Sequence, residues 1–202
     1  RAAQRVMASC VSYLEGKLRL RVNREKSCIG SPMQLKLLGF SLCIIKGKVG
    51  IRVHPKSLKR FKDNIRSLTS RKHGRSITNT LLILRRYTTG WLGYYSIADM
   101  RSNMRDISEW TRRRIRQIYW KQWKRIQARQ ENLVKLGIDE NQAWQWANSR
   151  LGYWRIAGSW ILSRSLTNKY LASQGYDDIS NRYEAKRLSY RTAVYRTVRT
   201  VV

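Results

Sequence analysis

The chain is short of negative charge. Its 202 residues carry 42 Lys+Arg against 12 Asp+Glu, a formal net charge of +30. A compact domain so unbalanced repels itself unless a polyanion neutralises it, and the excess is too large to be a solubility device. Nucleic acid is the usual polyanion, because binding releases phosphate counterions; an anionic membrane surface is the other. No apolar run approaches the ~20 residues of a membrane span, and no secretory signal is present. Phenylalanine is scarce, with 2 residues against 8 Trp and 11 Tyr. Trp and Tyr offer flat faces for bases and a polar handle, although any single ring serves equally well as core. The three cysteines, Cys10, Cys28 and Cys43, are an odd number without metal-ligand spacing and read as reduced, buried thiols of a cytoplasmic protein. His54 and His73 lie apart, and neither sits in a metal motif.

With 42% hydrophobic residues the chain can build a core, in one or two domains. It begins at Arg1 inside a helical pattern and reads as a piece of something longer. Residues 2–18 predict a helix, with Val6, Cys10, Tyr13 or Leu14, and Leu18 at helical spacing. A short extended segment and turn follow at Leu20–Ser27. Residues 35–45 predict a strand that pairs with Val49–Val53 across Lys46-Gly47-Lys48 as a β-hairpin.

After Pro55 the pattern is helical. One helix is expected from Lys56 to Arg71, with Leu58, Phe61, Ile65 and Leu68 on its inner face and Lys59, Lys62 and Arg66 on a flank. Gly74 breaks the chain and Ser76 is a candidate cap. Ile77, Leu81, Leu84, Thr88, Trp91 and Tyr95 then form an unbroken stripe on a helix that Gly90 and Gly93 interrupt, permitting close approach of a helix or of a ligand backbone. A long third helix is expected from Asn103 to Leu136, with Ile107, Trp110, Ile115, Ile118, Tyr119 and Ile126 facing inward. It holds no acid between Glu109 and Glu131, an interval carrying Arg112, Arg113, Arg114, Arg116, Lys121, Lys124, Arg125 and Arg129. A solvated helix normally alternates its charges to gain i,i+4 pairs. Forgoing them marks the outer face as phosphate-contacting, with a merely solvated basic face as the bland alternative. Trp120 falls on that side, as a stacking platform or as the contact for a second helix. Asp139 with Gln142 resembles a capping box for a helix through Ala147; a loop at Gly152–Gly158 leads to a helix over Ser159–Ser173, and Tyr176–Val202 is weakly patterned.

Several segments in this order resemble the C-terminal part of bacterial group II intron reverse transcriptase/maturases. They are Leu20-Arg-Val-Asn23-Arg-Glu-Lys26-Ser27, Leu37-Leu-Gly39-Phe40, His54-Pro-Lys-Ser-Leu-Lys-Arg-Phe61, Gly90-Trp-Leu-Gly-Tyr-Tyr95, Trp110-Thr-Arg-Arg-Arg114, Trp120-Lys-Gln-Trp-Lys124 and Gly152-Tyr-Trp-Arg155. The resemblance implies an α+β, mostly α chain in three parts. Residues 1–54 would be the end of the palm, 55–137 the helical thumb or maturase (X) domain, and 138–202 the start of the DNA-binding region. Asn23 and Lys26 would belong to the last palm motif, beside the incoming nucleotide, where a Lys serves as general acid or phosphate clamp. Leu38, Gly39 and Phe40 would be the primer grip. Phosphate contacts would come from Lys59, Lys62, Arg66, Arg112, Arg113, Arg116, Trp120, Lys121 and Lys124. A broad basic helical face suits the wide minor groove of A-form RNA. The partners implied are group II intron RNA, a template–primer duplex and target DNA, with no membrane.

The chain departs from that family in lacking the paired aspartates with which palm polymerases hold two Mg²⁺. Its adjacent carboxylate pairs are Asp139-Glu140 and Asp177-Asp178, both far past the palm segment. Magnesium-dependent RNA-directed DNA synthesis is therefore expected of a full-length parent, with no cofactor in this chain. The alternative function is a structured-RNA-binding, chaperone-like module unrelated to a polymerase. A membrane-surface protein would instead leave the apolar faces of its helices free.

Overall fold

The structure is a computed structural model that describes residues 1–31, 33–45 and 47–199. The chain is α+β and mostly helical, and it divides into two units at the His54–Pro55 boundary.

In the first unit the expected N-terminal helix forms as α1 (Ala2–Ser12), continued by a π-helical turn at Tyr13–Lys17. Neither buries a side chain. The hairpin pairs β1 (Phe40–Ile45) with β2 (Lys48–Val53) in antiparallel register, Phe40 opposite Val53 and Ile44 opposite Val49, with Gly47 at φ 74° in the connection. The strand expected from Leu35 starts only at Phe40. Leu38 and Gly39 both have positive φ, 51° and 88°, and Leu37 and Phe40 exchange backbone hydrogen bonds of 2.9 and 2.8 Å. This is a tight reversal of the kind that demands two left-handed residues in succession. Gly39 enters it freely, whereas Leu38 costs about 1–2 kcal/mol. The expected burial of the thiols does not hold: Cys10 and Cys28 are exposed and Cys43 is half-buried, because this unit has little core to receive them.

In the second unit α2 (Pro55–Leu68) opens with proline in its first turn, where the missing N–H is harmless. Ser76 caps α3 (Ile77–Tyr95), accepting from the Asn79 amide at 3.2 Å. The two helices meet through rings: Phe61 stacks on Trp91 with centroids 3.9 Å apart, and Trp91 on Tyr95 at 4.4 Å. Of the two α3 glycines, Gly93 turns toward Lys186 and its carbonyl accepts from the Tyr190 hydroxyl at 3.1 Å; Gly90 faces open space. The central element is α4 (Arg101–Gln122), which buries Met104, Ile107, Ile115, Ile118 and Trp120.

The single helix expected to Leu136 is two. α4 stops at Gln122 and α5 (Ile126–Lys135) restarts after Arg125, whose backbone is extended. The apolar spacing survives the break, which hides it in the sequence, but Ile126 is then 49% exposed instead of facing inward. Asp139 caps α6 (Glu140–Ala147) as expected, accepting from the Asn141 and Gln142 amides. The Gly152–Gly158 loop contains a short helix, α7 (Tyr153–Ala157). The helix expected over 159–173 splits into α8 (Trp160–Ser165) and α9 (Asn168–Ser173), because Thr167 turns outward to cap α9 and accepts from the Tyr170 amide at 3.1 Å.

The weakly patterned tail forms α10 (Ile179–Arg199), which packs on α4 and α3 with Ile179 and Tyr183 fully buried. The Tyr183 hydroxyl donates to the Ala98 carbonyl at 2.8 Å and accepts from the Met100 amide at 3.1 Å. Four ion pairs reinforce the seam: Arg112–Asp178, Arg85–Asp177, Arg187–Asp99 and Arg101–Glu184. Tyr183→Phe strands the buried Met100 amide and is expected to destabilise the chain by about 1–3 kcal/mol in urea unfolding. An unchanged midpoint would mean that α10 is not docked.

Candidate nucleic-acid interface

The arginines of α4 point at the ends of other helices. The last four carbonyls of any helix lack intrahelical partners and carry the negative end of its dipole. Arg114 donates to Arg66 O at 2.8 Å and Thr69 O at 3.2 Å, closing α2, and to the Thr69 hydroxyl at 2.6 Å. Arg116 donates to Leu166 O, the cap of α8, at 3.0 Å and to Asn168 Oδ1 at 3.2 Å. Arg113 donates twice to Trp154 O in α7, at 2.8 and 3.1 Å, and lies over the Trp154 ring at 4.1 Å. Arg112 pairs with Asp178 at 2.5 Å, both about four-fifths buried. Burial first, and then the neighbouring charge, lower the pKa of Arg114 beside Arg66 and of Arg116 beside Arg112. The face from Arg112 to Arg116 is thus engaged within the fold.

Trp120 is 1% exposed. Of the two roles open to it in the sequence, this burial makes it a helix contact. Arg129 lies over its ring at 4.6 Å and donates to Trp123 O, the cap of α4, at 3.0 Å. That side chain holds the α4–α5 break closed.

Other cations stay out of this framework. Among the described residues Lys59, Lys62 and Lys124 make no ion pair, and Arg66 pairs with Asp63 at 2.7 Å near the surface. Lys59 and Lys62 follow one flank of α2, as their spacing predicts. Lys121 and Lys124, at the end of α4, instead meet Arg71 and Arg75 of the α2–α3 turn around a concavity of about 300 Å³. Arg71 and Arg75 escaped the sequence reading because a turn has no face to count. Their signal was the acid-free run Arg71-Lys-His-Gly-Arg75.

In the first unit Asn23 accepts from the Lys26 amide at 3.0 Å, and the Asn23 carbonyl accepts from the Ser27 amide, also at 3.0 Å. Asn23 therefore shapes the turn that presents Lys26, and both are exposed. Leu38 and Gly39 form the reversal before β1, Leu38 exposed and the Gly39 carbonyl accepting from the His54 amide at 2.9 Å. Among the described residues no three of His, Cys, Asp and Glu gather where they could hold a metal ion. Asp177 and Asp178 are taken up by Arg182, Arg85 and Arg112.

Residues 58–137 match the family described as group II intron, maturase-specific domain. No curated protein matches the chain. The matched stretch runs from α2 through α5, and so holds the α2 flank, the α2–α3 turn and the whole of α4. A maturase-specific domain of this kind serves group II intron splicing.

Gly158 tests the internal role of Arg113. A Cβ there would collide with the Arg113 guanidinium, which must then leave the Trp154 carbonyl and ring. Gly158→Ala is expected to cost about 1–2 kcal/mol in thermal or urea unfolding, the worth of a partly exposed charged hydrogen bond. A variant as stable as the parent would show that Arg113 is not needed as a clamp.

Proposed function

We propose that this chain, which carries a group II intron maturase-specific domain over residues 58–137, binds the folded RNA of a group II intron and assists its splicing-competent fold. The observation that carries the reading lies inside the matched stretch. There the arginines of α4 serve the protein's own helix ends, while Lys59, Lys62, Lys121 and Lys124 pair with no carboxylate among the described residues. A charge excess that the fold does not consume is what a polyanion would use.

The wider reading rests on the resemblance of the flanking segments. Residues 1–54 are read as the end of a reverse transcriptase palm, with Lys26 as a phosphate clamp or general acid and Leu38, Gly39 and Phe40 gripping the primer. Residues 55–137 are read as the thumb that also holds template–primer duplex, and 138–202 as the start of a region contacting target DNA. RNA-directed DNA synthesis and its Mg²⁺ then belong to a full-length parent acting in the cytoplasm. A membrane-surface role is disfavoured: the apolar stripes of α2, α3 and α4 are buried in the fold, and no helix among the described residues is long and apolar enough to cross a membrane.

Two outcomes are expected. Purified chain should bind folded group II intron RNA more tightly than a length-matched plain RNA duplex across a salt series, and keep that advantage at high salt, where counterion release fades. Equal binding that vanishes equally with salt would reduce the chain to an unspecific basic clamp. With Mg²⁺, template and primer, the chain alone should extend no primer; robust extension would place an active site among residues given no such role here.

A further inference from the structure

We propose that the concavity between the α2–α3 turn and the end of α4 is a phosphate cradle, built to seat two RNA backbone phosphates brought close together. Its lining includes Arg71, Arg75, Lys121 and Lys124, with Ser70 and Gln122 between them, and contains no acid. The concavity has a volume of about 300 Å³ and opens to solvent. That is room for phosphate groups with part of their sugars.

Four cations do not gather unaided. Arg71 and Lys121 both lie against one ring, that of Tyr153, at 4.7 and 5.3 Å from its centroid. A carboxylate in that position would also hold them, but it would cancel a charge. The ring quadrupole attracts both and leaves the positive potential intact. The other two are set by backbone. The α4–α5 break brings Lys124 to the rim, and Gln122 Nε2 donates to Arg75 O at 2.9 Å, fixing the turn that carries Arg75. Gly74, at φ 63° with open space around it, lets that turn close. The capped start of α3 adds the positive end of a 19-residue helix beside Thr80 in the lining.

The charge count selects the ligand. One phosphodiester would leave most of the four positive charges uncompensated, whereas two close phosphates, as at a bend in a folded strand, match them better. An even-spaced duplex backbone presents no such pair. Tyr153 is a positioning residue here, acting through the cations it aligns. That the phosphates belong to intron RNA rests on the function proposed above; the cradle itself does not.

The test uses the full chain and two probes. Inorganic pyrophosphate, two linked phosphates, should perturb amide NMR signals of residues 70–76 and 121–124, and Arg71→Ala/Lys124→Ala should abolish the effect. Absence of perturbation in the unaltered chain would overturn the cradle, whatever RNA the chain prefers. With folded intron RNA, the same double variant should bind about 10-fold more weakly and lose about 1.4–1.8 from its salt slope, two phosphate contacts' worth. Its loss on plain duplex should be smaller. Lys135→Ala/Arg164→Ala, which removes two charges elsewhere, measures the effect of net charge. Equal losses in the two double variants, at unchanged melting temperature, would overturn the proposal. Tyr153→Leu should reproduce much of the cradle variant's loss and Tyr153→Phe should restore binding; a loss shared by Phe would refute the role given to the ring. Failure of the unaltered chain to prefer intron RNA, with the pyrophosphate response intact, would instead sink the function reading alone.

Discussion

The helical unit depends on a guanidinium meeting the carbonyl end of a helix. Each helix leaves four acceptors bare at its C-terminus, and a unit of many short helices has many such ends to close. Here three are met from the central α4 and a fourth from α5. Arg114 finishes α2, Arg113 reaches α7, Arg116 holds the cap of α8, and Arg129 of α5 turns back to finish α4. The planar fork of arginine presents its donors in a fixed geometry and can lie flat on a ring while donating, whereas the ammonium of lysine is a compact, strongly hydrated point charge on a flexible stem. Replacing these arginines by lysine would keep the charge and lose the framework.

This explains how a chain with so few acids holds together. Of the six carboxylates that form ion pairs among the described residues, four lie at the α10 seam, where Asp99, Asp177, Asp178 and Glu184 each meet an arginine. Elsewhere cations are held in place by dipoles and rings, which cancel no charge: Arg113 lies over Trp154, Arg129 over Trp120, and Arg114 against Trp110. The abundance of tryptophan thus has a structural cause beside any role in contacting bases. The same substitution of ring for carboxylate, at Tyr153, leaves one concavity strongly positive.

Periodicity made the α2 and α3 stripes legible, together with the Ser76 and Asp139 caps and the hairpin, because those features are local and repeat at a fixed spacing. Breaks without a glycine or proline were not legible. Trp123-Lys124-Arg125 separates α4 from α5, where Arg129 turns back onto the Trp123 carbonyl, and Leu166-Thr167 divides α8 from α9, where Thr167 caps α9 and Arg116, 50 residues earlier, takes the Leu166 carbonyl. The α10 helix was missed because much of its docking is polar: Tyr183, Arg182 and Arg187 reach backbone and side-chain acceptors on the segments before it. For the interface, counting charge on a helical wheel found the acid-free interval but could not separate arginines bonded inward from lysines left outside. Lys121 and Lys124 lie at the concavity and Arg113 does not, a difference that depends on what stands opposite each side chain.

A guanidinium bonded to a helix-end carbonyl needs nothing from solution to stay there. The contact is far shorter than the ~8 Å screening length at physiological ionic strength, so mobile ions scarcely weaken it. The basic framework is therefore complete without any ligand. Many highly charged RNA-binding segments fold on their ligand and surrender affinity to the ordering of their own chain. The helical unit from α2 to α10 escapes that cost, so that in the function proposed above the favourable free energy of contact can go to shaping the ligand.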